Sequence, residues 1–235
     1  MNWDIVSDIH SCITELYALL EKLNYKWDNG LYIPPSDYKL ISVGDFISRG
    51  YYTVATFNFV RDMVAAGHML ATRGNHEEKL MKWALGRPVK LNHGDEKAAE
   101  DFEKHNVDKQ SIVDFLSTLP LTIELDEGKL IVVHAAYSTH KNSKSFRAWS
   151  LFGPVRSVID GTPDRIDWAA ERVVDENSPI VVCGHQPLKE VRIINKVYQI
   201  DTACVFGEKL TCVEMPGGKI VQVEAERKYC ENINW

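Results

Sequence analysis

Five short stretches of the chain carry residue types that bind metal or phosphate. Asp8 and His10 stand two apart in Asp8-Ile9-His10, and Asp45 follows a glycine in Gly44-Asp45-Phe46-Ile47-Ser48-Arg49-Gly50. Asn75 and His76 follow another in Gly74-Asn75-His76-Glu77, and single histidines stand in Val133-His134-Ala135 and Gly184-His185-Gln186-Pro187. In an extended segment, positions two apart point the same way, so Asp8 and His10 can grip one cation together. Carboxylate and amide oxygens mixed with imidazole, without thiolate, suit manganese, iron or zinc rather than a structural zinc site. Six such ligands are too many for one tetrahedral ion and offer too few oxygens for calcium. Two ions sharing one carboxylate fit the count, and such a pair clamps the attacking and leaving oxygens of a phosphoryl transfer. Any one of these motifs alone would more often be a turn; the ordered series of five carries the reading. His68, His93, His105 and His140 follow no strand with a matching partner and read as ordinary histidines.

The elements that must position these residues are short β-branched runs that stop at a polar residue. Strands are predicted at Asp4–Ser7, Lys39–Val43, Met69–Thr72, Leu121–Leu125, Lys129–Val133, Ile180–Cys183, Val197–Ile200, Leu210–Glu214 and Ile220–Glu224. Each of the five motifs begins where one of these runs ends. Helical spacing marks Ser11–Leu23, Thr53–Ala66, Glu77–Ala84 and Ser111–Thr118. The first half alternates strand and helix, whereas the last third is strands with a hairpin at Pro216-Gly217-Gly218. A layered α/β domain with a mixed sheet or two packed sheets follows. One domain over residues 1–235 is the simplest count. Arg87–Lys109 reads as an exposed, charged helical excursion, and Ser138–Asp167 has the least regular pattern.

Composition narrows the class. The 235 residues hold 33 acidic and 27 basic side chains, a formal charge of -6, with 45% hydrophobic and 10% aromatic residues. That excludes a disordered chain and argues against general or stable nucleic-acid binding. Five scattered cysteines form no Cys-x-x-Cys pair, Asp4 and Asp8 stand where a signal peptide would be basic then apolar, and no apolar run would span a bilayer. A cytoplasmic protein with reduced thiols and no membrane partner is expected.

In order, SDIHSC, GDFISRG, RGNHE, VHAA and GHQP resemble the motifs of the calcineurin-like metallophosphoesterases. The likeness is nearest to their small bacterial and bacteriophage branch, which includes serine/threonine protein phosphatases and dinucleoside tetraphosphatases. IDTACVFGEKLTCVEM is similar to the strand pair that closes that branch, so the resemblance runs from Asp4 to about Glu214. It implies a β-sandwich of two mixed sheets flanked by helices in four α/β/β/α layers. It also implies a first metal on Asp8, His10 and Asp45, and a second on Asn75, His134 and His185 that shares Asp45. Manganese is the first choice of ion, with iron or zinc as alternatives. Arg49, Asn75 and His76 would contact the substrate. A hydroxide bridging the two ions would attack, Arg49 would fork the phosphate oxygens, and His76 would protonate the leaving oxygen. The implied reaction is hydrolysis of phosphate monoesters on a phosphorylated protein, with a nucleotide substrate of the dinucleoside polyphosphate type, or a phosphate-recognising pseudoenzyme, as alternatives. The net charge, and Pro187 in place of a second histidine, count against a nuclease-like diesterase.

The chain departs from the family pattern at one telling place. Most members read Gly-Asp-x-x-Asp-Arg-Gly, where the second Asp hydrogen-bonds the catalytic His; here that position is Ser48. A hydroxyl orients imidazole only weakly. The expectation is therefore a slower enzyme whose His76 lacks a carboxylate, or one suited to leaving groups that need little protonation. Ser11 and Ala136, where glycine is usual, remove no ligand. Arg147 and Arg156 are both candidates for a further phosphate contact. Trp149 and Phe152 could stack on a base, although core packing is the simpler reading for both.

Overall fold

Ile5 and Val6 are chain neighbours that lie in different apolar clusters, the period of two that an extended backbone imposes. Ile41 and Leu40 divide in the same way, as do Val213 and Cys212. A strand buried on both faces needs a layer on each side, which the rest of the chain provides. The computed structural model describes residues 1–139, 144–159 and 162–231; His140 lies outside them. In chain order the elements are β1 (Asn2–Val6), α1 (Ile13–Lys22), β2 (Lys26–Asp28), β3 (Leu31–Ile33), β4 (Tyr38–Ser42), α2 (Thr53–Ala65), β5 (Met69–Ala71), α3 (Asn75–Ala84), α4 (Asp95–Lys104) and α5 (Lys109–Thr118). They continue with β6 (Thr122–Leu125), β7 (Leu130–Val133), α6 (Lys144–Phe152), β8 (Val155–Ile159), β9 (Thr162–Arg165), α7 (Trp168–Glu171), β10 (Ile180–Cys183), β11 (Arg192–Ile194), β12 (Val197–Gln199), β13 (Lys209–Met215) and β14 (Lys219–Glu224).

Two mixed five-stranded sheets result, in the orders β14-β13-β1-β4-β5 and β11-β12-β10-β7-β6. Within the first, β1, β4 and β5 run parallel, and within the second β7, β10 and β12 do. Between the sheets lie Ile5, Ile41, Val43 and Val213 from one and Leu130, Val132, Val182 and Ile200 from the other. The outer face of the first sheet packs on α1, α2, α3, α4 and α5 through residues such as Leu16, Leu20, Phe57, Leu80, Phe102 and Leu116. Trp168 and Ala169 of α7 cover Ile131, Val181 and Cys183 on the outer face of the second. The layering is therefore helix, sheet, sheet, helix, as the resemblance implies.

All nine predicted strands and four predicted helices are present, with ends within two residues of those read from the sequence. The sequence pattern does not reveal the β2–β3 hairpin, the β8–β9 pair or β11, all five residues long or shorter. Within 87–109, α4 is charged on one side but buries Asp95, Ala98, Ala99 and Phe102 on the other, with Phe102 against Phe57 and Trp83. No helix among the described residues is long and apolar enough to cross a membrane.

Candidate active site

The parallel strands of both sheets deliver their carboxyl ends to one rim, the usual place for a site in an open α/β sheet. After β1 come Asp8 and His10; after β4, Asp45 to Gly50; after β5, the start of α3 with Asn75 and His76; after β7, His134; after β10, His185. These loops lock together through the main chain. The Asp45 carbonyl accepts from the Ile9 and His10 amides at 3.2 and 2.9 Å, and the His10 carbonyl accepts from Gly50 at 3.0 Å. One Glu77 oxygen accepts from the Asp45 and Gly74 amides at 2.7 and 2.8 Å, and the other from Ile47 at 3.3 Å. His10, Asp45, Ser48, Arg49 and His185 all hold left-handed backbone angles, with φ between 47 and 75°. For non-glycine residues that conformation costs on the order of 1 kcal/mol each, so the rim holds part of the fold's backbone strain.

Close approach requires two glycines. A Cβ on Gly74 would lie 2.1 Å from Asp45 Oδ1, and one on Gly184 would lie 1.8 Å from Asp8 Oδ1. Their absence lets the second sheet's loop seat on the first sheet's carboxylate, where the His185 amide donates to both Asp8 oxygens at 3.1 Å.

All six predicted ligands converge. Asp45 Oδ2 lies 3.2 Å from His134 Nε2 and 4.0 Å from His10 Nε2, so one carboxylate oxygen stands between the two halves of the set. Asp8 Oδ2 is 4.0 Å from His10 Nε2. His134 Nε2 also lies 3.1 Å from the Asn75 amide and 3.0 Å from His185 Nδ1. Two groups of ligand atoms meet at the strand tips, each within 4.8 Å: His10, Asp45 and His76 form one, and Asp45, His134 and His185 the other, while Asp8 stands beside the first through His10.

This donor set fits cations. The far nitrogens of His10 and His134 face main-chain carbonyls, Ile47 at 3.3 Å and Val43 at 3.2 Å. Each Nδ1 therefore donates to its carbonyl and each Nε2 faces inward, the orientation of a metal-ligating histidine. Burial, joined by Arg49 and His76 at His10 and by His134 at His185, holds both imidazoles well below the usual range, in the neutral form that ligates. Burial would lower His134 too, but Asp45 overrides it and pushes the ring up to about 9, so that without an ion a proton sits between His134 Nε2 and Asp45, which a bound cation would displace. Burial opposes Asp45's ionisation, yet His134, His76 and His10 hold its carboxyl well below the ordinary value. Burial and neighbouring Asp201 push Asp8 well up. Crowded carboxylates around inward-facing lone pairs are what bound divalent ions would relieve.

Beside the ligands opens a cleft of about 840 Å³. Arg49, Lys79, Lys90 and Arg165 line it, with Phe152 and Phe206 on its walls. The Arg49 guanidinium lies over the Phe206 ring at 5.4 Å, and its Nε is buried without a partner. Of the two arginines singled out from the sequence, Arg147 pairs with Glu78 at 2.6 Å and Arg156 with Asp164 and Glu171 at 3.7 and 3.9 Å. Neither lines the cleft; Arg165 does, its Nη1 donating to the Phe152 carbonyl at 2.5 Å. Phe152 is 40% exposed, a wall of the cleft rather than a core residue, whereas Trp149 packs against the second sheet's outer cluster.

The expectation that His76 lacks a carboxylate does not survive. Asp95 of α4 places Oδ1 2.5 Å from His76 Nδ1, and Ser48 Oγ donates to that oxygen at 3.2 Å. His76 Nε2 points the other way, 3.9 Å from Asp45 Oδ2. Asp201, just beyond β12, also lines the cleft, and burial pushes its carboxyl up to about 6. Asp95, Lys79, Lys90 and Arg165 lie outside the motifs legible in the sequence, whereas Asp201 lies inside IDTACVFGEKLTCVEM, where nothing local marks it as a site residue.

The family model described as calcineurin-like phosphoesterase matches residues 1–218. The chain is 35% identical to the asymmetrical bis(5'-nucleosyl)-tetraphosphatase PrpE of a Geobacillus species, over 97% of this chain and 96% of that one. It is 36% identical to the protein of the same name from Bacillus cereus, over 95% and 94%. Its fold is similar to that of a cold-active protein-tyrosine phosphatase from a psychrophilic Shewanella, with a TM-score of 0.63, 15% identity and coverage of 96% of this chain and 80% of that one. With two ligand clusters at its strand tips, this chain is a metal-dependent phosphohydrolase and belongs to the calcineurin-like phosphoesterase family.

Proposed function

We propose that the protein hydrolyses dinucleoside tetraphosphates asymmetrically, rather than acting first on phosphoproteins. The observation that carries this reading is the cleft: four cationic side chains, Arg49, Lys79, Lys90 and Arg165, run beside the ligand cluster, with Phe152 and Phe206 available to stack on a base. A single phosphoserine needs fewer charges. The names of the relatives point the same way.

Asp8, His10 and Asp45 would hold one divalent cation, and Asn75, His134 and His185, with Asp45 shared, the other; manganese is our choice among the ions these ligands suit. Such ions, when bound, supply Lewis acidity toward the phosphoryl oxygens and ease deprotonation of a water. The protein's own residues do the rest. Arg49 forks the oxygens of the phosphoryl group under attack, and Lys79, Lys90 and Arg165 hold the remaining phosphates. His76 presents Nε2 to the leaving oxygen and gives it a proton as the bond to phosphorus breaks. We place the reaction in the cytoplasm, in keeping with five free cysteines, and expect no stable nucleic-acid partner.

The test is manganese-dependent hydrolysis of diadenosine tetraphosphate and of a phosphoserine peptide, with products separated chromatographically. We expect ATP and AMP from the first, at a kcat/KM about 100-fold or more above that on the peptide, and near-complete loss in Asn75→Ala. Two ADP in place of ATP and AMP, or preference for the peptide, would refute the assignment.

A further inference from the structure

We propose that Asp95, brought in on the first turn of α4, is the positioning residue for His76: it fixes the imidazole with Nε2 toward the cleft, the task for which Ser48 alone is too weak. The proposal rests on the proton-donating role given to His76 above, and not on the choice of a nucleotide over a phosphoprotein.

Both oxygens of the fully buried Asp95 are engaged. Oδ1 faces His76 Nδ1 at 2.5 Å and accepts from Ser48 Oγ at 3.2 Å; Oδ2 accepts from Lys79 Nζ at 3.0 Å and from the Asn92 amide at 3.4 Å. A ring nitrogen at that distance from a carboxylate must carry the proton, so Asp95 sets which way round the ring stands. Ser48 adds no direct bond to the ring and steadies Asp95 instead. The approach is built into the backbone. Gly94, at φ +91°, sits so close to the preceding motif that a Cβ there would lie 2.7 Å from Arg49 Cα and 2.8 Å from Arg49 N. Only a residue without a side chain lets α4 start against Ser48 and Arg49.

Chemically, the water oxygen forms a bond to phosphorus and releases one proton to solvent, while the bond to the leaving oxygen breaks with its electron pair staying on that oxygen, which takes the proton from His76 Nε2; solvent returns a proton to Nε2 afterwards, so the protons balance. A correctly held ring matters most when the leaving oxygen is strongly basic, as in an alkyl phosphate, and least for an aryl phosphate. The alternative is that Asp95 merely anchors α4 through Lys79.

The two are separated by measuring kcat and KM of Asp95→Asn, and of the charge-conserving exchange Ser48→Asp/Asp95→Ser, on an alkyl phosphate and on p-nitrophenyl phosphate with manganese. His76→Ala and Asp95→Ser run alongside. We expect Asp95→Asn to lower kcat on the alkyl ester by about 10–100-fold at nearly constant KM, with a much smaller loss on the aryl ester. The exchange should recover most of the alkyl rate lost in Asp95→Ser, since it returns a carboxylate to a neighbouring position. Should Asp95→Ser fold poorly, the alkyl-to-aryl ratio of the isosteric Asp95→Asn decides. Equal losses on both esters would make Asp95 an anchor of α4 and overturn the proposal. An unaffected Asp95→Asn beside a crippled His76→Ala would overturn it alone, whereas a fully active His76→Ala would overturn it together with the role of His76.

Discussion

The strand-tip loops and the segment from Arg87 to Lys109 reach the same cleft by opposite routes. The loops leave parallel strands whose register is fixed by burial on both faces, and their ligands are tied by main-chain bonds such as Asp45 carbonyl to His10 amide. The segment leaves the sheet altogether, docks Phe102 against α2 and α3, and returns one carboxylate, Asp95, to His76. Loops bound to a sheet hold the proposed metal ligands, for which a small misplacement is ruinous. A docked helix carries the group that positions the proposed proton donor, His76, where a misplacement costs rate but leaves the centre intact.

Three substitutions sharpen or break that contrast. Gly184→Ala puts a methyl 1.8 Å from Asp8 Oδ1 and should abolish manganese binding by titration calorimetry, with activity down about 1000-fold or more; retained binding would mean the tips are more compliant than their bonding suggests. Gly94→Ala meets the Arg49 backbone at a positive φ and should lower kcat about tenfold while leaving the manganese affinity close to that of the parent. Loss of metal there would erase the distinction between the two routes. The smallest effect is expected inside β1, where Asp4 is as buried as Asp8 but lies away from the cluster. Burial pushes its carboxyl up to about 6 from 3.8, and one of its oxygens has no partner. The folded state therefore favours the protonated form, and stability is lost as pH rises through about 6. Asp4→Asn should raise Tm by about 2–4 °C at pH 8 and by nothing near pH 4, without changing kcat. A destabilised variant at pH 8 would show that the carboxylate at Asp4 is needed as such.

The contrast also marks what can be read from residues alone. Asp8, His10, Asp45, Asn75, His134 and His185 are legible because each follows a short apolar run that ends at a polar residue, and a strand's period and end are local properties. Asp95 is not, since it stands among charges in Gly94-Asp95-Glu96-Lys97, where nothing local separates it from a solvated helix face. Its partner Ser48 is 47 residues away, and their meeting depends on the docking of α4. Arg165 was hidden for a related reason. The stretch from Ser138 to Asp167 has little periodicity, so nothing local separates Arg147 and Arg156 from Arg165, and only the fold places Arg165 in the lining of the cleft while the other two pair with Glu78 and Asp164.

Gly184 has a consequence for how the molecule comes into being. The His185 amide that meets Asp8 arrives 177 residues later in the chain, and β1 is flanked on one side by β13, which emerges later still. A growing polypeptide carries Asp8, His10 and Asp45 early, but the cage closes only after nearly the whole chain has left the ribosome. An unfinished chain thus carries its early ligands without the amide that caps Asp8, and the ligand set assembles only once late strands have joined the first one.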